Sequence, residues 1–275
     1  MRRIIVDSGS SIKQNEKAQY GVDILPIPLQ MGNESFWDGV DLGTEEFYRR
    51  LKNRSQFPKT SLPSLGTAQE LVDLYTGQGD EVLIITLSSG ISGTYQALKM
   101  LFAEYPNVEV FDSMLAVGGI RILVEEAKRH EHEPMPVVIE KLAALRPRIV
   151  IAAIPETLDY LLAGGRLSKS SWMVGTLLAI TPIITFIDGK VSVLTKKRGV
   201  RQGKRALAEL IENDQPDRAY GMIASYTYNK ANVDDMLHML STKHQAMVNG
   251  YDDLCSSIAC HWGPNAFGIV YVKQA

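Results

Sequence analysis

The sequence predicts an α/β protein, a single unit of two lobes: an N-terminal α/β lobe over residues 1–154 and a C-terminal α+β lobe over residues 155–275. Two observations lead to this fold class. Up to residue 154, short apolar runs alternate with helical patterns, which is typical of βαβ units and a mostly parallel sheet flanked by helices. After Pro155 that alternation stops, and Asp188-Gly189 separates two β-rich runs as a two-residue hairpin turn would.

The N-terminal lobe is predicted to contain five extended segments and five helices. Pro26 and Pro28 exclude helix from the second extended segment. The strands are predicted at residues 3–6, 23–29, 81–87, 108–111 and 148–154. The helices are predicted at residues 45–52, 67–75, 93–105, 115–129 and 136–145.

The C-terminal lobe is predicted to combine a hairpin with further strands and three helices. Gly164-Gly165 marks the end of its first helix. The helices are predicted at residues 158–162, 200–211 and 229–240. The strands are predicted at residues 183–187, 191–194, 219–225, 246–248, 257–261 and 268–272.

Composition excludes several classes of protein. Lys and Arg number 29 against 31 for Asp and Glu, so the net charge of −2 argues against a nucleic-acid partner. The two cysteines, Cys255 and Cys260, are too few for a disulfide framework or a four-thiolate zinc site, and no metal or cofactor is expected. The longest apolar stretch, residues 172–187, is too short to span a bilayer and contains Pro182. With no targeting segment visible, we expect a cytoplasmic soluble protein without stable membrane insertion.

Three predicted strands of the N-terminal lobe end in hydroxyl-rich segments. These are Asp7-Ser8, Ser88-Ser89 and Asp112-Ser113. Parallel sheets bind ligands outside the carboxyl ends of their strands, so the three ends could form one site. The same residue types are also ordinary in turns.

The segment 88–95 follows a predicted strand and opens a predicted helix. Backbone N–H groups at a helix N-terminus bind anions, and Ser92 and Thr94 could add hydroxyl donors. The segment matches neither a phosphate-binding loop nor the nucleophile elbow of esterases, and a capping loop is an equal alternative. The segment 60–64 is a second hydroxyl cluster, and by itself it favours a capping role for the helix that follows.

One histidine and one basic cluster stand apart from the rest. His261 ends an apolar run, where it could donate a hydrogen bond to an anion or titrate near neutrality, although a structural role is more common. The basic cluster is either a solvated helix start or a docking face for an acidic or phosphate-bearing partner. It consists of Lys196, Lys197, Arg198, Arg201, Lys204 and Arg205.

Taken together, these segments resemble the DegV family of bacterial fatty-acid-binding proteins. The resemblance spans nearly the whole chain, in the family's order. Its N-terminal part rests on Val6-Asp7-Ser8, residues 60–64, residues 88–95 and Phe111-Asp112-Ser113. Its C-terminal part rests on residues 158–166, Pro182-Ile183-Ile184, Asp188-Gly189, Arg198-Gly199 and residues 261–265.

The resemblance implies a DegV-like fold with one long-chain fatty acid buried in a tunnel between the lobes. It implies a lipid-binding carrier and not an enzyme. The carrier would present the fatty acid to a separate ATP-dependent fatty-acid kinase subunit. The kinase would make acyl-phosphate, which feeds phospholipid synthesis.

The resemblance also implies roles for particular residues. Thr60 and Ser92 would hold the fatty-acid carboxylate, and His261 and Arg166 would belong to the surrounding polar network. Arg198 lies where the family places a basic residue near the exposed carboxylate, so it would contact the kinase. The carboxylate-binding group is completed by Ser61, Gly93 and Thr94.

The chain departs from the family pattern at two places. The first motif reads Asp7-Ser8-Gly9-Ser10 where Thr or Ser and then Ala or Cys are more usual. Near the C-terminus, Trp262 replaces a small polar residue and Asn265 replaces a glycine. Trp262 could narrow the entrance to the site or change which acyl chain fits.

A competing hypothesis is a self-sufficient hydrolase or phosphotransfer enzyme that uses Ser92 or Ser89 with His261. No nucleophile elbow supports it, and only Asp7 or Asp112 could orient the histidine. The acyl tunnel candidates are the apolar residues of 158–162 and 172–187, for which plain core packing is an equal alternative.

Overall fold

The computed structural model describes residues 1–52, 57–167 and 180–274. The chain divides into two compact units. The first contains Met1–Pro147 and Cys255–Ile258, and the second contains Arg148–Leu254 and Ala259–Ala275. The boundary expected after residue 154 falls inside the second unit, because the strand before it hydrogen-bonds to other strands of that unit.

The described residues of the first unit form a four-stranded, fully parallel sheet and a small antiparallel sheet of three strands. The parallel sheet has the order β2-β1-β6-β7, and the small sheet has the order β4-β3-β5. The strands are β1 (Arg2–Asp7), β2 (Val22–Leu25), β3 (Pro28–Met31), β4 (Glu34–Trp37), β5 (Lys59–Thr60), β6 (Glu81–Thr86) and β7 (Val108–Asp112). The parallel sheet predicted for this part of the chain is confirmed.

Helices cover both faces of the parallel sheet, which explains why its central strands are continuous apolar runs. On one face, Ile5 of β1 and Ile84 of β6 pack with Val72 and Leu98, which lie on two of the helices. The helices are α1 (Lys17–Tyr20), α2 (Thr44–Lys52), α3 (Leu65–Gly77), α4 (Thr94–Leu101), α5 (Gly118–Arg129) and α6 (Met135–Leu145).

The described residues of the second unit form a six-stranded mixed sheet in the order β10-β9-β8-β13-β11-β12. Its pairs are antiparallel except for β11 and β12. The strands are β8 (Ile149–Ile154), β9 (Ile180–Ile187), β10 (Lys190–Arg198), β11 (Met222–Tyr226), β12 (Val248–Asp253) and β13 (Phe267–Val272). The helices are α7 (Asp159–Ala163), α8 (Val200–Asp214), α9 (Ala231–Leu237), α10 (Thr242–Gln245) and α11 (Ser256–Trp262).

The predicted hairpin turn at Asp188-Gly189 joins β9 to β10. Both residues have positive φ angles, 49° and 74°, as a two-residue turn of type I′ requires. Strand β10 runs on to Arg198, so Lys196, Lys197 and Arg198 lie at the end of a strand and not in a helix start.

The strand predicted at residues 257–261 is wrong, because these residues lie in helix α11. The helix has no exposed polar face from which a helical period could be recognised, because its residues Ser257, Ile258, Ala259 and Cys260 are all buried. A short run of mostly small and apolar residues is ambiguous between a strand and a buried helix. Cys255 therefore precedes a helix that contains Cys260, and the two cysteines form no disulfide bond.

Within the described ranges, no helix is long and apolar enough to cross a membrane. The tunnel candidate 172–187 is only partly described, because residues 172–179 lie outside those ranges. Of its described part, Thr181, Pro182, Ile183 and Ile184 are buried in β9.

Candidate functional site

In the first unit, Asp7 ties two strand ends of the parallel sheet together. Its side chain is fully buried, and its Oδ1 accepts the N–H of Gly9 at 2.9 Å. Its Oδ2 accepts the N–H of Leu87 at 2.7 Å, at the end of the neighbouring strand β6. Burial raises the pKa of Asp7 to about 7, against the opposing effect of these two N–H donors. The carboxyl group thereby holds Leu87, the first residue of the loop that follows β6.

A second carboxylate fixes the same loop from the next strand. Asp112, at the end of β7, accepts the N–H groups of Ser89 at 3.1 Å and of Met114 at 2.9 Å. The N–H of Ser88 donates to the carbonyl of Leu115 at 2.9 Å. The three hydroxyl-rich strand ends predicted from the sequence do converge, and backbone hydrogen bonds to Asp7 and Asp112 connect them.

The loop carries a pair of hydroxyl groups at the start of helix α4. The Oγ of Ser92 lies 2.9 Å from the Oγ1 of Thr94 and accepts the Thr94 N–H at 3.3 Å. Gly93 is the N-cap residue and has no side chain to offer. Ser92 is half-buried, whereas Thr94 is buried. The pair therefore caps the helix locally and presents hydroxyl groups where helix N–H groups favour negative charge.

The segment 60–64 lies beside this loop. Thr60 is half-buried in β5, where it pairs with Leu29, and the exposed Ser61 donates its N–H to the carbonyl of Pro28 at 3.2 Å. A side-chain carbon of Leu62 lies 3.4 Å from the point where a Cβ on Gly93 would stand. The structure therefore brings together the segment that carries Thr60 and the loop that carries Ser92.

Ser64 is the residue of that segment with a purely local role. Its side chain accepts the N–H of Thr67 at 3.1 Å and so caps helix α3. The capping role that the sequence favoured for this cluster is therefore correct for Ser64.

In the second unit, His261 and Arg166 approach each other around the turn that ends helix α7. The imidazole of His261 is nine-tenths buried, and a Cβ on Gly164 would overlap with its ring. The Nη1 of Arg166 donates to the carbonyl of Gly164 at 2.6 Å. These two predicted site residues therefore share one small region of the second unit.

Burial, with a smaller contribution from the positive charge of Arg166, lowers the pKa of His261 to about 3. The expectation that this histidine titrates near neutrality therefore does not hold. At neutral pH its imidazole is uncharged and carries one N–H donor.

We expect the ring resonances of His261 to stay unchanged between pH 5 and pH 8 in a ¹H–¹⁵N NMR titration. The ring stays neutral over that whole range, because its pKa lies well below it. An unperturbed histidine has a pKa of about 6.5, inside that range, so a ring that titrates would be seen to move. A midpoint above pH 5.5 for His261 would contradict this account of its environment.

The basic cluster is split by the fold. Arg198, Arg201 and Arg205 are exposed at the end of β10 and along α8. Lys204 is buried, with its amine 3.0 Å from Asp235 and above the ring of Phe267. Lys204 is therefore a structural residue, and the exposed part of the cluster is arginine-rich.

Sequence reasoning missed the structural roles of three residues at the candidate site. Asp7 and Asp112 were noticed as strand-end residues, but their use as anchors for the loop 88–94 was not. Gly164 was interpreted only as a helix stop, although its lack of a side chain makes room for His261. Both acids accept backbone N–H groups of the first unit, and these hydrogen bonds hold the ends of β1, β6 and β7 together.

Comparison with known proteins shows which family shares this architecture. The family model described as "Uncharacterised protein, DegV family" matches residues 1–274. A DegV domain-containing protein from Staphylococcus aureus (strain COL) is 31% identical over 287 residues, covering 98% of each chain.

Solved structures show the same fold. The fatty acid binding DegV family protein from Streptococcus agalactiae superposes with a TM-score of 0.89 at 24% identity, covering 100% of this chain and 99% of that one. DegV, a fatty acid binding protein from Bacillus subtilis, superposes with a TM-score of 0.81 at 25% identity, covering 99% of both chains. The family match and the shared fold extend over the whole described chain, which belongs to the DegV family.

Proposed function

We propose that this chain is a cytoplasmic carrier that binds one long-chain fatty acid in a buried tunnel. It presents the fatty-acid carboxylate to a separate fatty-acid kinase, which forms the acyl-phosphate used in phospholipid synthesis. The observation that carries the proposal is the proximity of the segment 60–64 to the loop 88–94 at the strand ends of the first unit. DegV relatives of known structure are described as fatty-acid-binding proteins, which supports the same ligand.

The carboxylate is held by the hydroxyl groups of Thr60 and Ser92, with Ser61 beside them. The backbone N–H groups near Gly93 and Thr94 add donors at the start of α4. A charged acceptor strengthens each of these hydrogen bonds, which are worth about 1.5–3 kcal/mol each when one partner is ionised.

His261 and Arg166 complete the polar network. The neutral imidazole contributes an N–H donor, and the guanidinium contributes the single positive charge that one carboxylate requires. In the chain without a ligand, burial lowers the pKa of His261 to about 3, so the imidazole meets the fatty acid as a neutral hydrogen-bond donor.

The acyl chain supplies most of the binding energy. Burying about 14 methylene groups at about 0.8 kcal/mol each gives roughly 11 kcal/mol before costs. The entropy lost when the acyl chain is ordered and the two molecules associate opposes binding by several kcal/mol. Micromolar or tighter binding follows without strong head-group contacts. The apolar residues of 158–162 and of β9 are the described tunnel candidates.

We expect the double variant Thr60→Ala/Ser92→Ala to bind palmitate at least tenfold more weakly in a calorimetric titration. Two charge-assisted hydrogen bonds are lost, each worth about 1.5–3 kcal/mol, while the acyl contacts remain. The matched control is Ser35→Ala, which removes an exposed hydroxyl on β4. Unchanged affinity together with unchanged acyl selectivity would overturn the head-group assignment.

For Arg198→Ala we expect normal lipid loading but poor acyl-phosphate formation with the kinase. The side chain is exposed, so its removal weakens the encounter with the partner and not the fold. Arg218→Ala removes an exposed arginine outside the basic cluster and should leave turnover unchanged. If Arg198→Ala supported acyl-phosphate formation at the wild-type rate, the proposed docking role of Arg198 would be wrong.

The isolated protein should not hydrolyse a generic acyl ester such as p-nitrophenyl butyrate. A carrier has no activated nucleophile, and the segment 88–95 does not match the nucleophile elbow of esterases. Turnover that disappears in both Ser92→Ala and His261→Ala would instead establish the hydrolase hypothesis.

A further inference from the structure

Gly164 and His261 lie closer together than any side chain at position 164 would permit. A Cβ on Gly164 would stand 2.3 Å from the Nδ1 of His261 and 2.8 Å from its Cε1. Both separations lie far below the ordinary van der Waals range of 3.4–4 Å. The missing side chain therefore provides the volume that the imidazole occupies.

The backbone conformation of Gly164 does not require glycine. Its φ of −75° and ψ of −10° are right-handed helical angles that any L-residue adopts. The next residue differs, since Gly165 has a φ of 71° but has open space around its missing Cβ. The two glycines thus serve separate purposes: Gly165 turns the chain, and Gly164 makes room for the ring.

The same peptide orients the second polar residue of this region. Arg166 donates from Nη1 to the carbonyl of Gly164 at 2.6 Å, and its N–H donates to the carbonyl of Leu161 at 2.9 Å. One turn of backbone therefore sets the direction of the guanidinium and the position of the imidazole. A residue with a Cβ at position 164 would press on the His261 ring and so disturb the positions of both the imidazole and the guanidinium.

We propose that Gly164 is a positioning residue that sets His261 and Arg166 for contact with the fatty-acid carboxylate. This inference rests on the proposed function, since it takes the head-group roles of His261 and Arg166 from it. With an alanine at 164, the ring must retreat by about 1 Å to reach an ordinary separation. A displacement of that size is enough to break a hydrogen bond to the carboxylate, which tolerates about 0.5 Å.

The test is a double-variant cycle read by calorimetry with palmitate. We expect Gly164→Ala to weaken binding at least tenfold in the wild-type chain. In the His261→Ala chain, the same substitution should cause no more than a twofold further loss, because the ring it displaces is absent. Gly165→Asn is the matched control, since asparagine tolerates positive φ and meets no neighbour there.

Two outcomes of the cycle would overturn the proposal. One is wild-type affinity in Gly164→Ala, and the other is an equal loss of affinity in both backgrounds, which would show an effect that bypasses His261. If Gly164→Ala does not fold, His261→Ala should restore folding by removing the overlap. Failure to restore it would also overturn the proposal.

A second readout does not depend on the ligand. In ¹H–¹⁵N spectra, Gly164→Ala should shift the ring resonances of His261, whereas Gly165→Asn should leave them in place. If the wild-type chain binds no fatty acid, the proposed function fails, but the ring shift still decides whether Gly164 positions His261. An unmoved ring in Gly164→Ala would overturn the inference whatever the ligand proves to be.

Discussion

At pH 4, where the folded chain keeps Asp7 protonated, Asp7→Ala should lower the free energy of unfolding by about 2–6 kcal/mol. The substitution leaves the buried N–H groups of Gly9 and Leu87 without their acceptor, and each unsatisfied buried donor costs about 1–3 kcal/mol. Urea denaturation followed by circular dichroism measures the loss. Asp41→Ala, which removes an exposed carboxylate bonded to the N–H of Trp37, is the control and should cost about 1 kcal/mol or less. A loss for Asp7→Ala as small as that of Asp41→Ala would contradict the anchoring role.

The pH dependence of the Asp7 effect has a definite sign. Burial raises the pKa of Asp7 from 3.8 to about 7, so the folded chain holds this proton more tightly than the unfolded chain. Its contribution to stability is fully present below about pH 4 and is lost as the pH rises through 7, by about 4 kcal/mol in all. Relative to Asp7→Asn, which does not titrate, the wild-type protein should therefore lose stability from pH 4 to pH 7. A constant difference over that range would contradict the raised pKa.

Gly263→Ala should lower the free energy of unfolding by about 2–5 kcal/mol. Gly263 follows helix α11 with a φ of 77°, where a side chain costs about 1–2 kcal/mol of backbone strain. A Cβ there would also stand 2.6 Å from the buried ring of Tyr160, and such overpacking costs about 1–3 kcal/mol. Thermal and urea denaturation of the purified variant measure the sum.

Two comparisons separate the parts of the Gly263 effect. Gly32→Ala places the same strain at a φ of 65° with no neighbour within 4 Å, so it should cost only about 1–2 kcal/mol. In a Tyr160→Ala chain, Gly263→Ala should likewise cost only the backbone strain of about 1–2 kcal/mol, because the ring is absent. An equal cost of Gly263→Ala with and without the Tyr160 ring would show that no overlap occurs.

Most of the architecture could be predicted because local patterns determine it. The apolar runs that became β1 and β6 are continuous because the parallel sheet is covered on both faces. The hairpin at Asp188-Gly189 follows from the positive φ angles that only a few residue types adopt. The helix α11 was missed because its residues are buried on every side, which removes the polar face on which periodicity depends.

The candidate site could be predicted only in part. The loop 88–94 stands out because its hydroxyl groups follow a strand and precede a helix. The anchoring by Asp7 and Asp112 could not be predicted, since an acidic residue at a strand end is also an ordinary turn residue. The fit of His261 against Gly164 depends on two residues far apart in the chain, and one sequence contains no signal for that proximity.

The central claim, that this chain carries a fatty acid, is tested most directly by identifying its bound ligand. The purified protein is extracted with organic solvent, the extract is analysed by mass spectrometry, and native mass spectrometry gives the stoichiometry. We expect one long-chain fatty acid per chain, saturated or unsaturated. A protein that yields no lipid and also refuses added fatty acid would contradict the carrier function and return attention to Ser92 and His261 as a catalytic pair.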